Sequence, residues 1–146
     1  MPKRRIKPHE KKSFIKKTLE ERSSVQTLTD DFFVISLKHF DKVQGDRFSD
    51  WDDQAILARA IETLEGYSHA ALRTQAGNDK FTIYGDFPPA GKTDFSHPTH
   101  VPEDAEWARI HVTGKQCIVG HVVQNTFYIV FLDGNHSFWK SELKNT

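Results

Sequence analysis

Between Trp107 and Leu132 the sequence spells out three short strands and two turns, and no other segment constrains the fold as tightly. Trp107, Arg109, His111 and Thr113 alternate with Ala108, Ile110 and Val112, the period of a strand with two unlike faces. Gly114-Lys115 supplies a hairpin turn. Cys117–Val123 reads as the second strand and Gln124-Asn125 as the second turn. Thr126–Leu132 is so uniformly apolar that it is expected at the centre of a sheet. Asp133-Gly134-Asn135 turns the chain once more, and His136–Trp139 reads as a short terminal strand.

The segment before this meander is predicted to be mostly helical. Phe32–Leu37 is a bulky, β-prone run that predicts a buried strand. Lys38–Phe48 is a turn or the start of a helical hairpin. Ser49 then reads as an N-cap, with Asp50, Asp52 and Asp53 in the first turn where the helix dipole favours anions. Ile56, Leu57, Ala60, Ile61 and Leu64 keep helical spacing, and Gly66 is a natural stop. A second helix is expected over 68–76, and a strand over 80–84. The segment 85–104 carries Pro88, Pro89, Pro98 and Pro102 and reads as a long loop, of the kind that is either functional or mobile. Helices early and sheet late make the class α+β: a helical hairpin packed on an antiparallel sheet of four to five strands.

Charge divides the chain. Residues 1–22 hold nine Lys or Arg against three Glu, and the remainder carries the balancing acidic excess, so the formal net charge is zero. Residues 1–30 are read as a basic extension, disordered to Pro8 and helical from Glu10 to about Ser23, ahead of a single domain over 31–146. Its cations Lys3, Arg4, Arg5, Lys11, Lys12, Lys16 and Lys17 suit a nucleic acid. One cysteine, Cys117, excludes an intrachain disulfide and a multi-cysteine zinc site. No apolar run approaches the roughly 20 residues that span a bilayer, and no secretory signal opens the chain. A cytoplasmic protein without a membrane partner is expected.

Nucleotide-binding loops, the zinc-protease helix motif and the nucleophile-elbow pentapeptide are all missing from the sequence. Histidines in the second half carry what chemistry there is. His97 and His100, three apart in the proline-rich loop, suit a loop facing substrate better than a metal site. Trp107, Arg109 and His111 would stand in a row about 6–7 Å apart on one strand face. Such a row suits RNA: the ring stacks on a base, the guanidinium neutralises a phosphate, and the imidazole moves a proton. His136 sits in a polar turn at the sheet rim, where Asp133 could orient it.

Three features together resemble the RelE/ParE toxin superfamily of bacterial toxin–antitoxin modules. They are the strand 33–37 followed by Asp50-Trp51-Asp52-Asp53 leading to Leu64, the Trp107-Ala108-Arg109-Ile110 strand, and His136 followed closely by Trp139. The resemblance spans about residues 32–139. It implies a small mixed fold and, in the RNase branch, metal-independent mRNA cleavage at the ribosome, held silent by an antitoxin. It would make Arg109 the phosphate cation and His136 the acid or base, with His111 beside them. Trp107, Lys115, His97 and His100 would be substrate contacts. No metal or cofactor is expected. The ParE branch, which acts on DNA gyrase, needs fewer of these residues. A reading free of any family is a non-enzymatic adaptor, whose acidic body binds a basic protein while the tail binds nucleic acid.

Overall fold

The meander forms as the alternation requires. β3 (Glu106–His111), β4 (Cys117–Val123) and β5 (Thr126–Asp133) pair antiparallel in sequence order. The structure is a computed structural model, and it describes residues 30–141. The readings on residues 1–29, including the basic cations and the helix over 10–23, lie outside the described residues. The backbone divides at Asp30, and the unit that begins at Asp31 holds the whole sheet.

The fold is α+β: three helices and a five-stranded sheet. β1 (Val34–Ser36), α1 (Phe48–Asp53), α2 (Leu57–Tyr67), α3 (Leu72–Gln75) and β2 (Phe81–Gly85) precede the meander. The strand order is β1-β5-β4-β3-β2. The sheet is mixed and not wholly antiparallel, because β1 enters beside β5 in parallel, with Ile35 opposite Phe127. The midpoint of the sheet is β4, with the apolar β5 one position from it.

Several expectations need correction. Phe32–Leu37 is no buried strand. Its three-residue core lies at the sheet edge, leaving Val34, Ile35 and Leu37 at 49%, 38% and 53% exposure, while Phe33 alone turns inward. The expected single helix from Ser49 is two helices. Its start is Arg47, whose N–H donates to Asp50 Oδ2 at 2.7 Å. It breaks where Ala55 adopts φ +59°, a left-handed setting that no continuous helix tolerates. α2 then runs through Gly66 to Tyr67. The second helix is only Leu72–Gln75. His136–Trp139 forms no strand.

Both faces of the sheet are covered. On one, Phe81, Ala108, Ile110, Ile118, Phe127 and Leu132 pack against Trp51, Ala60, Leu64 and Leu72 from the helices. On the other, Trp107, Val119, Val130 and Phe131 pack against Val101, Phe87, Phe95 and Phe138. The proline-rich segment 85–104 and the C-terminal turn thus form the second layer, and burial of their aromatic rings fixes the loop in place. A bulge in β5 serves this layer. The register steps from Gly120↔Ile129 to Val119↔Phe131, so Val130 is extra and both Val130 and Phe131 face the aromatic cluster. Among the described residues no helix is long and apolar enough to cross a membrane.

Candidate active site

Cross-strand register gathers the site at one end of the sheet. His111 stands opposite Cys117, and Cys117 opposite Asp133. Arg109 lies two residues back from His111 on the same face. The hairpin between β3 and β4 decides this. A two-residue turn at Gly114-Lys115 would set His111 opposite Ile118 and turn Cys117 to the other face. The observed loop is wider: Val112 and Thr113 both donate their N–H to the Gln116 carbonyl, at 3.0 and 3.2 Å.

His136 reaches the same corner through a turn built on a buried carboxylate. Asp133 is 1% exposed. Its Oδ1 accepts from the N–H of Asn135 and Ser137, at 3.3 and 3.0 Å, and from the Ser137 hydroxyl. Its Oδ2 accepts from the Phe138 N–H at 2.9 Å. Asp133 therefore orients His136 by shaping its backbone. His136 sits at φ +55° in the left-handed region, with Phe138 anchored in the core beyond it.

The result is a cluster of two imidazoles, a guanidinium and a thiol. Arg109 Nη1 donates toward His136 Nε2 at 3.4 Å, and the His111 and His136 ring centres are 5.2 Å apart. A guanidinium only donates, so His136 Nε2 is the accepting side of this contact. His111 Nδ1 is 3.4 Å from the Thr113 carbonyl and 3.4 Å from Cys117 Sγ. With the Nδ1 proton facing that carbonyl, the lone pair of His111 is on Nε2. Burial, then the Arg109 charge, hold His111 below the ordinary histidine pKa. Burial pushes the Cys117 thiol up to about 12, so it is no thiolate nucleophile at neutral pH. The Arg109 guanidinium lies 5.4 Å from the ring centre of Tyr84, which stacks on Trp139 at 4.5 Å. An open cleft of about 540 Å³ leads from His111 along α2, bordered by Arg59, Tyr67, Asp79 and Lys80.

The structure thus brings Arg109, His111 and His136 together and leaves the other expected residues elsewhere. Trp107 is fully buried between Phe131 and Phe138 and has no face to offer a base, because the loop covers what was expected to be a half-solvated surface. Lys115 is exposed at the hairpin, where its N–H donates to Thr113 Oγ1. His97 and His100 belong to a different group at the Trp107 end of β3, built on His121 and His39. Trp107 pairs with His121, which pairs with Tyr128. His39 Nδ1 and His121 Nε2 are 2.9 Å apart. The His100 Nε2–H donates to the His39 carbonyl at 2.7 Å, and the His97 ring meets Trp107 edge-on at 5.5 Å. Burial, reinforced by His39, His100 and His97, brings the His121 pKa down to about 4.

Sequence reasoning missed Cys117 and Tyr84 as neighbours of the site, and missed the His39–His121 pair. A register count across the β3–β4 hairpin would have found Cys117 had the loop width been known. The pair joins residues far apart in sequence and leaves no local signal. No family model matches the chain, and neither a curated protein nor a solved structure matches it, so its chemistry is read from the site itself.

Proposed function

We propose that the chain is a metal-independent endoribonuclease acting as the toxin of a toxin–antitoxin pair, with Arg109, His111 and His136 at the reacting phosphate. One observation carries the reading: two imidazoles with ring centres 5.2 Å apart share a partly exposed corner with a guanidinium 3.4 Å from one of them. RNA brings its own nucleophile, so a base, an acid and a cation complete the chemistry.

His111 Nε2 takes the proton of the 2′-hydroxyl; its depressed pKa keeps it neutral and able to do so. The 2′-oxygen bonds to phosphorus as the bond to the 5′-oxygen breaks. The products are a 2′,3′-cyclic phosphate and a 5′-hydroxyl end. Arg109 stabilises the charge that builds on the phosphorane oxygens. Drawn to the phosphate, Arg109 releases His136 Nε2, which takes a proton from solvent and delivers it to the leaving oxygen. Arg59 and Lys80 along the cleft supply cations for the flanking strand. The setting would be the cytoplasm, with RNA or the ribosome as target and an antitoxin protein as silencer.

The test is cleavage of a defined RNA by the purified full chain, with and without ribosomes, reading 3′ ends for the cyclic phosphate. His136→Ala and Arg109→Ala should each lower the rate about 100-fold or more. Intact RNA with the wild-type chain under both conditions sinks the reading.

A further inference from the structure

The geometry points to a binding site for a soft divalent cation, zinc above all, on His111, Cys117 and His136. One ligand atom from each of the three residues can be chosen so that all lie within 4.8 Å of one another. His111 Nδ1 and Cys117 Sγ are 3.4 Å apart. Two such ligands on a tetrahedral zinc stand about 3.6 Å apart, given Zn–N near 2.05 Å and Zn–S near 2.3 Å. Small rotations of two surface-reaching imidazoles close the remaining distance. The buried sulfur is fixed, since it lies on the central strand between His111 and Asp133. Three protein ligands of the His₂Cys type leave a fourth position, and the two imidazoles, both only partly buried, put that position within reach of solvent. Imidazole and thiolate together select zinc over magnesium or calcium, which want oxygen.

Binding balances as proton loss. Cys117 releases its thiol proton to solvent as sulfur takes the metal. The His111 proton moves from Nδ1, now metal-bound, to Nε2. His136 gives the metal a ring nitrogen, and Arg109 keeps its seat over Tyr84 while losing its His136 contact. The buried Asp133 carboxylate beside Cys117 offsets part of the added charge. His111 Nε2 then holds a proton and no lone pair, and the metal occupies His136. Zinc therefore silences the acid–base chemistry proposed above; that consequence rests on the nuclease reading, while the site itself does not.

The experiment titrates Co²⁺ into the full chain after metal removal with EDTA. Expected are sulfur-to-cobalt charge-transfer absorption and intense tetrahedral visible bands, saturating at one equivalent and displaced by Zn²⁺. Cys117→Ala should lose the charge-transfer absorption. His136→Ala, at a partly exposed turn, should weaken binding more than about tenfold, since even an outer-shell partner is worth 10–100-fold. Circular dichroism checks that both variants fold, and His136→Ala decides the matter if Cys117→Ala does not. Absence of sulfur absorption in the wild type, or equal binding by wild type and His136→Ala, overturns the site. A parallel arm adds Zn²⁺ to the RNA assay, expecting loss of cleavage that EDTA restores. A cobalt spectrum with no cleavage under any condition rejects the nuclease and keeps the metal site. Cleavage unaffected by saturating zinc rejects the silencing.

Discussion

The His39 and His121 rings meet nitrogen to nitrogen at 2.9 Å, in a contact that holds only one proton between them. Protonating both would set two cations against each other beneath Trp107, with Lys38, His97 and His100 adding to the field and Tyr128 stacked alongside. His121 ionises near pH 4 when folded and near 6.5 when unfolded. A depressed histidine leaves stability intact above pH 6.5 and removes it as pH falls toward 4, because the unfolded chain takes the proton first. The loss from His121 alone can reach about 3 kcal/mol. Urea denaturation at pH 7.5 and 4.5 should show it, and His121→Phe should flatten the dependence across that window. An equally steep fall in the variant removes His121 as its cause.

Gly120 and Gly66 should respond in opposite ways to alanine. A Cβ on Gly120 would drive into the Tyr128 carbonyl across the bulge and into the Phe127 ring. Backbone cannot yield there without breaking the β4–β5 ladder, so Gly120→Ala should cost about 3 kcal/mol. Gly66 lies inside α2 with open space around it, so Gly66→Ala should gain about 0.5–1 kcal/mol from helix propensity. Thermal melts of the two variants beside wild type check both signs.

Asp133 should matter in proportion to how many acceptors its replacement keeps. Asp133→Ala takes the acceptor from three backbone N–H groups, of which that of Phe138 is buried, and should cost about 2 kcal/mol. Asp133→Asn retains an oxygen for Asn135 and Ser137 but turns an amide N–H₂ toward the Phe138 N–H, so it should cost less than alanine. His136 ring chemical shifts should move in both. Unmoved shifts would mean that the turn is held by Phe138 and not by the carboxylate.

What the sequence made legible was local. Alternation from Trp107 to His111 and the apolar β5 declared the meander, because a strand's period is written in consecutive residues. The convergence of Arg109 and His136 was within reach, since a sheet rim displays the residues just beyond its last strand. The errors share a cause. The exposure of β1 and the burial of Trp107 depend on which segment covers which face, and a proline-rich loop carries no periodicity that predicts the surface it will cover. Helix α1 ends at Asp53, two residues before the left-handed Ala55, although Ile56, Leu57 and Ala60 keep the helical spacing, because one left-handed residue breaks a helix without altering the apolar pattern. Cys117 joined the site through a hairpin one register step away from the simplest turn.

His111 should set the acid limb of RNA cleavage. Burial and the Arg109 charge both disfavour its protonation, so the rate should rise with pH through a midpoint below the ordinary histidine value of 6.5. The sign comes from the base's role: only neutral His111 can take the 2′-hydroxyl proton, and lowering the pH removes that form. Replacing Arg109 with Lys keeps a cation but not the planar fork that reaches His136 and the Tyr84 ring together. Arg109→Lys should therefore retain more activity than Arg109→Ala. His111→Gln should cut the rate about 100- to 10,000-fold and abolish the acid limb. A limb that persists unchanged in His111→Gln would assign the base to His136 and reverse the two roles.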